Sequence, residues 1–250
     1  MPLGPSYRIP YRRRRGGKTD YKARRALVLS KIPRLIVRSS LKHMTVQIVE
    51  AQPNGDRVIA SANSRELINA YDWKGSCSNL PSAYLTGFLC GLRAMRKDVK
   101  KAILDIGLFY PTKGSRLFAS LKGATDAGME IPCEKEKLPD EKRVSGQHIA
   151  EYAKQLSTSE QTAYRARFSK YIKENLQPEQ LPTHFSETKE KIVESFKPKE
   201  EKRKEPEAKA KPKAKPKVRP KAGPRAKPKA RAEQKTVKKP RKKKTEEKKE

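Results

Sequence analysis

Apolar and polar residues change their period several times along this chain, and each change predicts an element. In RLIVR (34–38), Leu35 and Val37 share one face while Arg34, Ile36 and Arg38 share the other. HMTVQIVEAQ (43–52) and RVIASA (57–62) read as two further strands, and the PNGD between them is a hairpin turn signal. These strands predict a sheet with one packed side and one basic side. Upstream, Thr19 or Asp20 is placed to cap a helix running to about Leu29, which Pro33 stops.

Beyond the strands the period becomes helical. SRELINAYDW (64–73) predicts a short helix. SNLPSAYLTGFLCGLRAMRKD (78–98) offers Ser78 or Asn79 as a cap, a proline near the first turn, and an apolar stripe at Leu85, Phe88, Leu89, Leu92 and Met95. That stripe is too short and too interrupted by glycine to span a membrane. Gly87 and Gly91 are expected to allow close packing on the sheet. AILDIGL (102–108) fits a buried strand parallel to a neighbour, reached through the preceding helix as a crossover. A helix from about Ser115 to Ala127 follows, with Gly128 as its cap. The expected fold class is α/β, a mixed sheet with packing helices on one side. Residues 143–177 and SETKEKIVESF (186–196) predict C-terminal helices.

Composition then changes abruptly. Residues 197–250 hold 25 Lys/Arg, 8 Glu and 8 Pro, a net of +17, with Val218 and Val237 as the sizeable aliphatics. A segment of this kind buries too little apolar surface to offset its ordering entropy, so disorder is expected. Its KAKPKAKPKVRPKAGPRAKPKA stretch suits a solvated spacer or a nonspecific nucleic-acid binder acting through counterion release. The expected organisation is a basic arm with a short helix (1–31), an α/β domain (32–132), a helical extension (133–196) and this tail. The whole chain carries +32, so residues 1–196 keep a net of +15 without the tail. Polyanions are the partners this implies, RNA and DNA first.

The chemistry-bearing residues narrow the choice. Cys77, Cys90 and Cys133 are widely spaced and expected to be free thiols, with no CxxC or close Cys/His pair for a metal. His43, His148 and His184 lie near no nucleophile, and Asp105 is expected to satisfy backbone or bind a nearby arginine. No catalytic constellation is present, so neither enzyme activity nor a cofactor is expected. PTKGSR (111–116) opens a helix with Lys113, Ser115 and Arg116 and is a candidate phosphate loop, though not a nucleotide-hydrolase loop. In the arm, YRRRRGGKTDYKARR (11–25) interleaves tyrosines with arginines, suited to stacking on unpaired bases and pairing with phosphates. Gly16 and Gly17 are expected as a hinge there. Trp73, beside Lys74, suits either base stacking or packing.

Taken together in order, YRRRRGGKTDYKAR, PRLIVRSSLKHMTVQIVE, GDRVIASANSREL, DWKGSCSNLPSAYLTGFLCGLRA, AILDIGLFYPTKGSRLFASLKGATDAGMEIP and RVSGQHIAEYA resemble the universal large-subunit ribosomal protein L-eighteen family. Its eukaryotic member is large-subunit protein five, and the body length here is similar to the archaeal branch. The resemblance implies a cytoplasmic, non-enzymatic constituent of the large ribosomal subunit that binds 5S rRNA and attaches it to 23S rRNA in the central protuberance. Neighbouring ribosomal proteins there would be its further partners, and no membrane is involved. The RNA-binding candidates are Arg8, Tyr11, Arg12, Arg13, Arg14, Arg15, Lys18, Thr19, Tyr21, Arg24 and Arg25 in the arm. On the sheet and loops they are Arg34, Arg38, Ser40, Lys42, His43, Lys74, Lys113, Ser115 and Arg116. Leu41 and Cys77 depart from the family pattern, and the tail is no part of it. A DNA-compacting, chromatin-type protein is the alternative reading.

Overall fold

A computed structural model describes residue 4 and residues 7–196; the basic tail lies outside the described residues, and with it the expectation of disorder there. In chain order the elements are α1 (Arg12–Arg15), α2 (Tyr21–Leu29), β1 (Arg34–Ser39), β2 (Met44–Gln52), β3 (Gly55–Asn63), α3 (Ser64–Tyr71), α4 (Leu80–Met95), β4 (Ile103–Asp105), α5 (Arg116–Asp126), α6 (Glu141–Ser145), α7 (Gln147–Ser159), α8 (Gln161–Arg167), α9 (Ser169–Lys173) and α10 (Leu181–Phe196). The α/β class with a mixed sheet is as the sequence pattern predicts.

The sheet order is β3-β2-β1-β4. The first three strands are antiparallel neighbours, while β4 pairs parallel to β1 with Arg34 opposite Ile103 and Ile36 opposite Asp105. Leu35 pairs with Ile48 and Val37 with Val46, and all four are fully buried. Each such side chain contributes about 1.5–3 kcal/mol by leaving water. Ala60 and Ala62 sit opposite Ile48 and Val46 on β3, and these small side chains leave room for α4 above the sheet.

Asn79 caps α4 by accepting a hydrogen bond from the Ser82 amide at 3.0 Å. The helix is buried over most of its length, wedged between sheet, α5 and α10. Here one expectation is corrected. Gly87 and Gly91 admit α5, not the sheet: a Cβ on Gly87 would stand 2.0 Å from the Ser120 carbonyl oxygen, and one on Gly91 2.7 Å from the Ala127 Cβ. Gly123 of α5 returns the favour, its missing Cβ leaving space for the Tyr84 carbonyl at 2.2 Å. The two backbones touch because glycines face each other across the seam.

The helices expected over 143–177 are α6 to α9, with Gly146 in the left-handed region at φ 87° between α6 and α7. Helix α10 starts five residues before the apolar pattern of SETKEKIVESF suggests. Its Leu181, Phe185 and Ile192 join the same core as the sheet, as do Ala153 and Phe168. Cys77 and Cys90 are buried free thiols and Cys133 is an exposed one.

Candidate nucleic-acid interface

The arm begins with Tyr7 and Arg8 exposed and coils once, at α1. Gly16 and Gly17 close that turn: the Gly17 amide donates to Arg14 O and the Lys18 amide to Arg13 O, with Gly17 at φ 57°. This paired bonding at a left-handed glycine is a helix stop, which replaces the expected hinge. Thr19 Oγ1 accepts from Arg13 Nε at 3.1 Å, tying the turn to the segment before α2. Asp20 then caps α2, accepting from the Lys22 and Ala23 amides at 2.9 and 3.1 Å.

Helix α2 is fastened to the sheet by charge. Arg24 meets Asp56 in a two-pronged pair, Nη1 and Nη2 each 2.9 Å from a carboxylate oxygen. That bond with Arg24 is the main reason Asp56 is held below the usual carboxylate range. Asp56 Oδ2 also lies 2.9 Å from Arg34 Nη2, but without hydrogen-bond alignment, so this second contact is Coulombic. Arg34 Nη1 donates to Asp105 Oδ2 at 3.1 Å, and Arg38 Nη2 to Asp105 Oδ1 at 2.9 Å. The result is a chain of alternating charge, Arg24–Asp56–Arg34–Asp105–Arg38, running under α2.

This chain revises the picture of an open basic sheet face. Arg34 is 1% exposed and is not presented to a ligand; its guanidinium binds two carboxylates from β3 and β4. Arg38 keeps 41% of its side chain exposed and remains available on one edge. Between α2 and the sheet lies a cleft of about 940 Å³, lined among others by Arg13, Lys18, Tyr21, Arg38 and Phe109.

The arm differs from this network in one respect that decides its chemistry. Among the described residues, Arg8, Arg12, Arg13, Arg14, Arg15, Lys18 and Arg25 form no ion pair, and all are exposed. Tyr11 is 85% exposed. Unpaired surface cations of one sign with an exposed aromatic are what a phosphate backbone with unstacked bases would meet.

The other candidates separate. Ser40 ties the β1–β2 turn, its Oγ donating to His43 O and accepting from the His43 amide, each at 2.9 Å. His43 is half-buried beside Ser64, while Lys42 is exposed on that turn. In the PTKGSR loop the Gly114 amide donates to Lys137 O at 3.0 Å and the Ser115 amide to Thr112 O at 3.3 Å. Arg116 Nη1 donates to Ser78 O at 2.9 Å, and Lys113 pairs with Glu136 at 3.3 Å. The Gly114 and Ser115 amides are thus engaged within the protein, while among the described residues the first-turn amides of α5 at Arg116, Leu117 and Phe118 and the buried Ser115 Oγ have no partner. Trp73 is packing: 1% exposed, it stacks on His184 at 5.1 Å between ring centroids. The adjoining Lys74 amide donates to His184 Nε2 at 3.1 Å, which sets the Lys74 backbone against α10 with its side chain exposed. Sequence reasoning missed Asp56 as the organiser of the arm's junction, and also the exposed trio Leu108, Phe109 and Tyr110 after β4.

A basic α/β body carrying an arm of unpaired cations defines a structural, polyanion-facing class of protein, and comparison with known sequences makes the class specific. The family described as "Ribosomal large subunit proteins 60S L5, and 50S L18" matches residues 5–100 and 95–134. Large ribosomal subunit protein uL18 of Staphylothermus marinus is 49% identical over 197 residues, covering 79% of this chain and 98% of that protein. Its counterpart in Aeropyrum pernix is 52% identical over 197 residues, 79% of this chain and 92% of that protein. The chain belongs to this uL18 family of ribosomal large-subunit proteins, archaeal in type, and is a structural, non-enzymatic member. The DNA-compacting alternative rests on the composition of the tail, which lies outside the residues that the family model matches.

Proposed function

We propose that the protein binds 5S rRNA through its N-terminal arm and the adjoining edge of the sheet, and attaches it to 23S rRNA in the central protuberance of the large ribosomal subunit. The observation that carries this reading is the partition of arginines. Arg24 and Arg34 are consumed by Asp56 and Asp105 and anchor the arm. Arg8, Arg12, Arg14, Arg15 and Arg25 are left exposed and unpaired on it. Family membership directs that surface to ribosomal RNA. Phosphate contacts position a protein without reading sequence, so selection of 5S rRNA rests on its shape and its unpaired bases.

The test is a gel shift of the full chain on 5S rRNA against tRNA across a salt series. Tighter binding to 5S rRNA supports the proposal; equal affinity for both at physiological salt refutes it. Replacing Arg12–Arg15 by alanine removes up to four phosphate contacts and lowers the magnitude of the log–log salt slope by about 3. An unchanged slope shows that the arm does not touch phosphate.

A further inference from the structure

The loop that follows β4 exposes three consecutive large apolar residues: Leu108 at 58%, Phe109 at 39% and Tyr110 at 86%. None of the three belongs to the arm or to the charge chain. They are not on a loose loop. The Gly107 amide donates to Asp105 Oδ1 at 2.9 Å, the same carboxylate oxygen that binds Arg38. Gly107 stands at φ 67° directly beneath the Arg38 guanidinium, where an added Cβ would lie 2.9 Å from Cζ. The Thr112 amide donates back to Tyr110 O at 2.9 Å, with Pro111 between them. The trio is thus held on a turn pinned at both ends.

Its surroundings state what it faces. Phe109 and Leu108 line the cleft under the arm together with Arg13, Lys18 and Arg38. The carboxylates of that cleft are already engaged: Asp56 and Asp105 by arginines, Asp20 by the amides of α2. Cations and the Phe109 ring lining one cleft, with the exposed Tyr110 next in the chain, suit a strand with anionic links and flat apolar bases; an apolar protein surface would leave Arg13 and Lys18 desolvated and unpaired. Because β1 and β4 are parallel, the β1–β2 turn with Lys42 leaves the sheet at the same end as this loop.

We infer that Phe109 and Tyr110 form a stacking site for unpaired nucleobases, with Arg13, Lys18 and Arg38 taking the adjoining phosphates. The inference rests on the RNA-binding reading above and adds to it a particular ligand class, a single-stranded segment, and a particular place.

The experiment uses the full chain and three RNAs: oligoadenylate, a blunt-ended RNA duplex and 5S rRNA. In Tyr110→Trp, the new indole is exposed whereas Trp73 is buried and gives a constant background. Oligoadenylate is expected to quench the new indole saturably and the duplex is not. Phe109→Leu with Tyr110→Leu keeps apolar surface but removes both π faces. It is expected to reduce the preference for oligoadenylate over duplex by about 5- to 150-fold for each stacked base lost, with thermal stability unchanged. An unquenched indole overturns the inference, as does a double-leucine variant with wild-type preference. So does a variant that binds RNA normally but fails to enter the large subunit, which would make the patch a protein-docking surface. If the wild-type chain does not select 5S rRNA at all, the RNA-binding reading itself falls; if it does and only the loop variants are silent, the stacking site alone falls.

Discussion

Substituting Asp105 tests whether the buried charge chain is organised as the geometry states. Asp105 is the one carboxylate aligned on Arg34, and it also accepts from Arg38 and from the Gly107 amide. Arg34 is 1% exposed, so water does not replace a lost acceptor, and the partner that remains is the unaligned Asp56 carboxylate. Removing one member of a buried pair costs about 3–5 kcal/mol, because the other charge is stranded. Asp105→Ala is therefore expected to destabilise by that amount, lowering the melting temperature by roughly 6–20 °C for a body of this size. Asp56 is a quarter exposed and pairs mainly with the partly exposed Arg24. Water can replace it, and Asp56→Ala is expected to cost about 1 kcal/mol. Urea unfolding followed by the fluorescence of buried Trp73 gives both values. The sign of a third change is the sharper check. Arg34→Met is expected to destabilise the wild-type protein but to stabilise Asp105→Ala, because there it removes a buried charge left with only its unaligned contact to Asp56. Equal costs for the two aspartates, or an Arg34→Met effect identical in both backgrounds, would falsify the ordering of partners along the chain.

Other expectations follow from single features. Gly87→Ala places a Cβ 2.0 Å from backbone at Ser120, so α4 and α5 must separate, at a cost of about 1–3 kcal/mol or more; a wild-type melting curve would show that the seam is loose. Burial pushes His184 and His148 below the usual histidine value. The unfolded chain then binds more protons, so stability is held above pH ~6.5 and lost as pH falls from there through the lowered folded values. Protonation of His184 also removes the acceptor for the Lys74 amide. His184→Gln, whose side chain is neutral throughout, is expected to flatten that part of the pH–stability profile, and an unchanged acid slope would exclude His184 as its source. The Arg24 bond lowers Asp56, so the tie between arm and sheet is present above the ordinary carboxylate range and released only as pH drops through the lowered value. Proteolytic cleavage between 7 and 20 as a function of pH reads that release; cleavage that rises already near neutrality would contradict it.

What was legible in the sequence is what depends on neighbours in the chain. Period-two alternation placed Leu35 and Val37 inward, local turn chemistry placed the hairpin, and Asp20 and Asn79 stood at cap positions whose function needs only the next three residues. Gly128 at φ 102° closes α5 as expected for the same reason. Gly87 and Gly91 were readable as a contact but not as to its partner, because a glycine announces close approach without saying what approaches. The PTKGSR loop was readable only in part. A helix start with a lysine and a serine offers free amides, and those of Arg116, Leu117 and Phe118 have no partner among the described residues, but Lys137, which takes the Gly114 amide, is 23 residues further on and was not visible locally.

The arginines carry this point furthest. Twelve residues apart at most, Arg12 to Arg24 look equivalent in sequence, as do Arg34 and Arg38 on one strand face. Structure divides them by where carboxylates happen to fold, and those lie 32 and 71 residues away at Asp56 and Asp105. Removing any of these arginines lowers the net charge equally, yet the consequences differ in kind. Loss of Arg34 or Arg24 changes how firmly the arm is seated, and so appears in stability. Loss of Arg12 or Arg14 leaves the fold untouched and appears in the salt dependence of RNA binding. Arg38 belongs to both groups, since one face of its guanidinium binds Asp105 while 41% of the side chain is exposed beside the aromatic loop. Arg38→Gln should therefore move melting temperature and RNA affinity together, whereas Arg14→Gln moves affinity alone. If the two variants cannot be told apart by melting, position relative to the carboxylates is not what sorts these arginines.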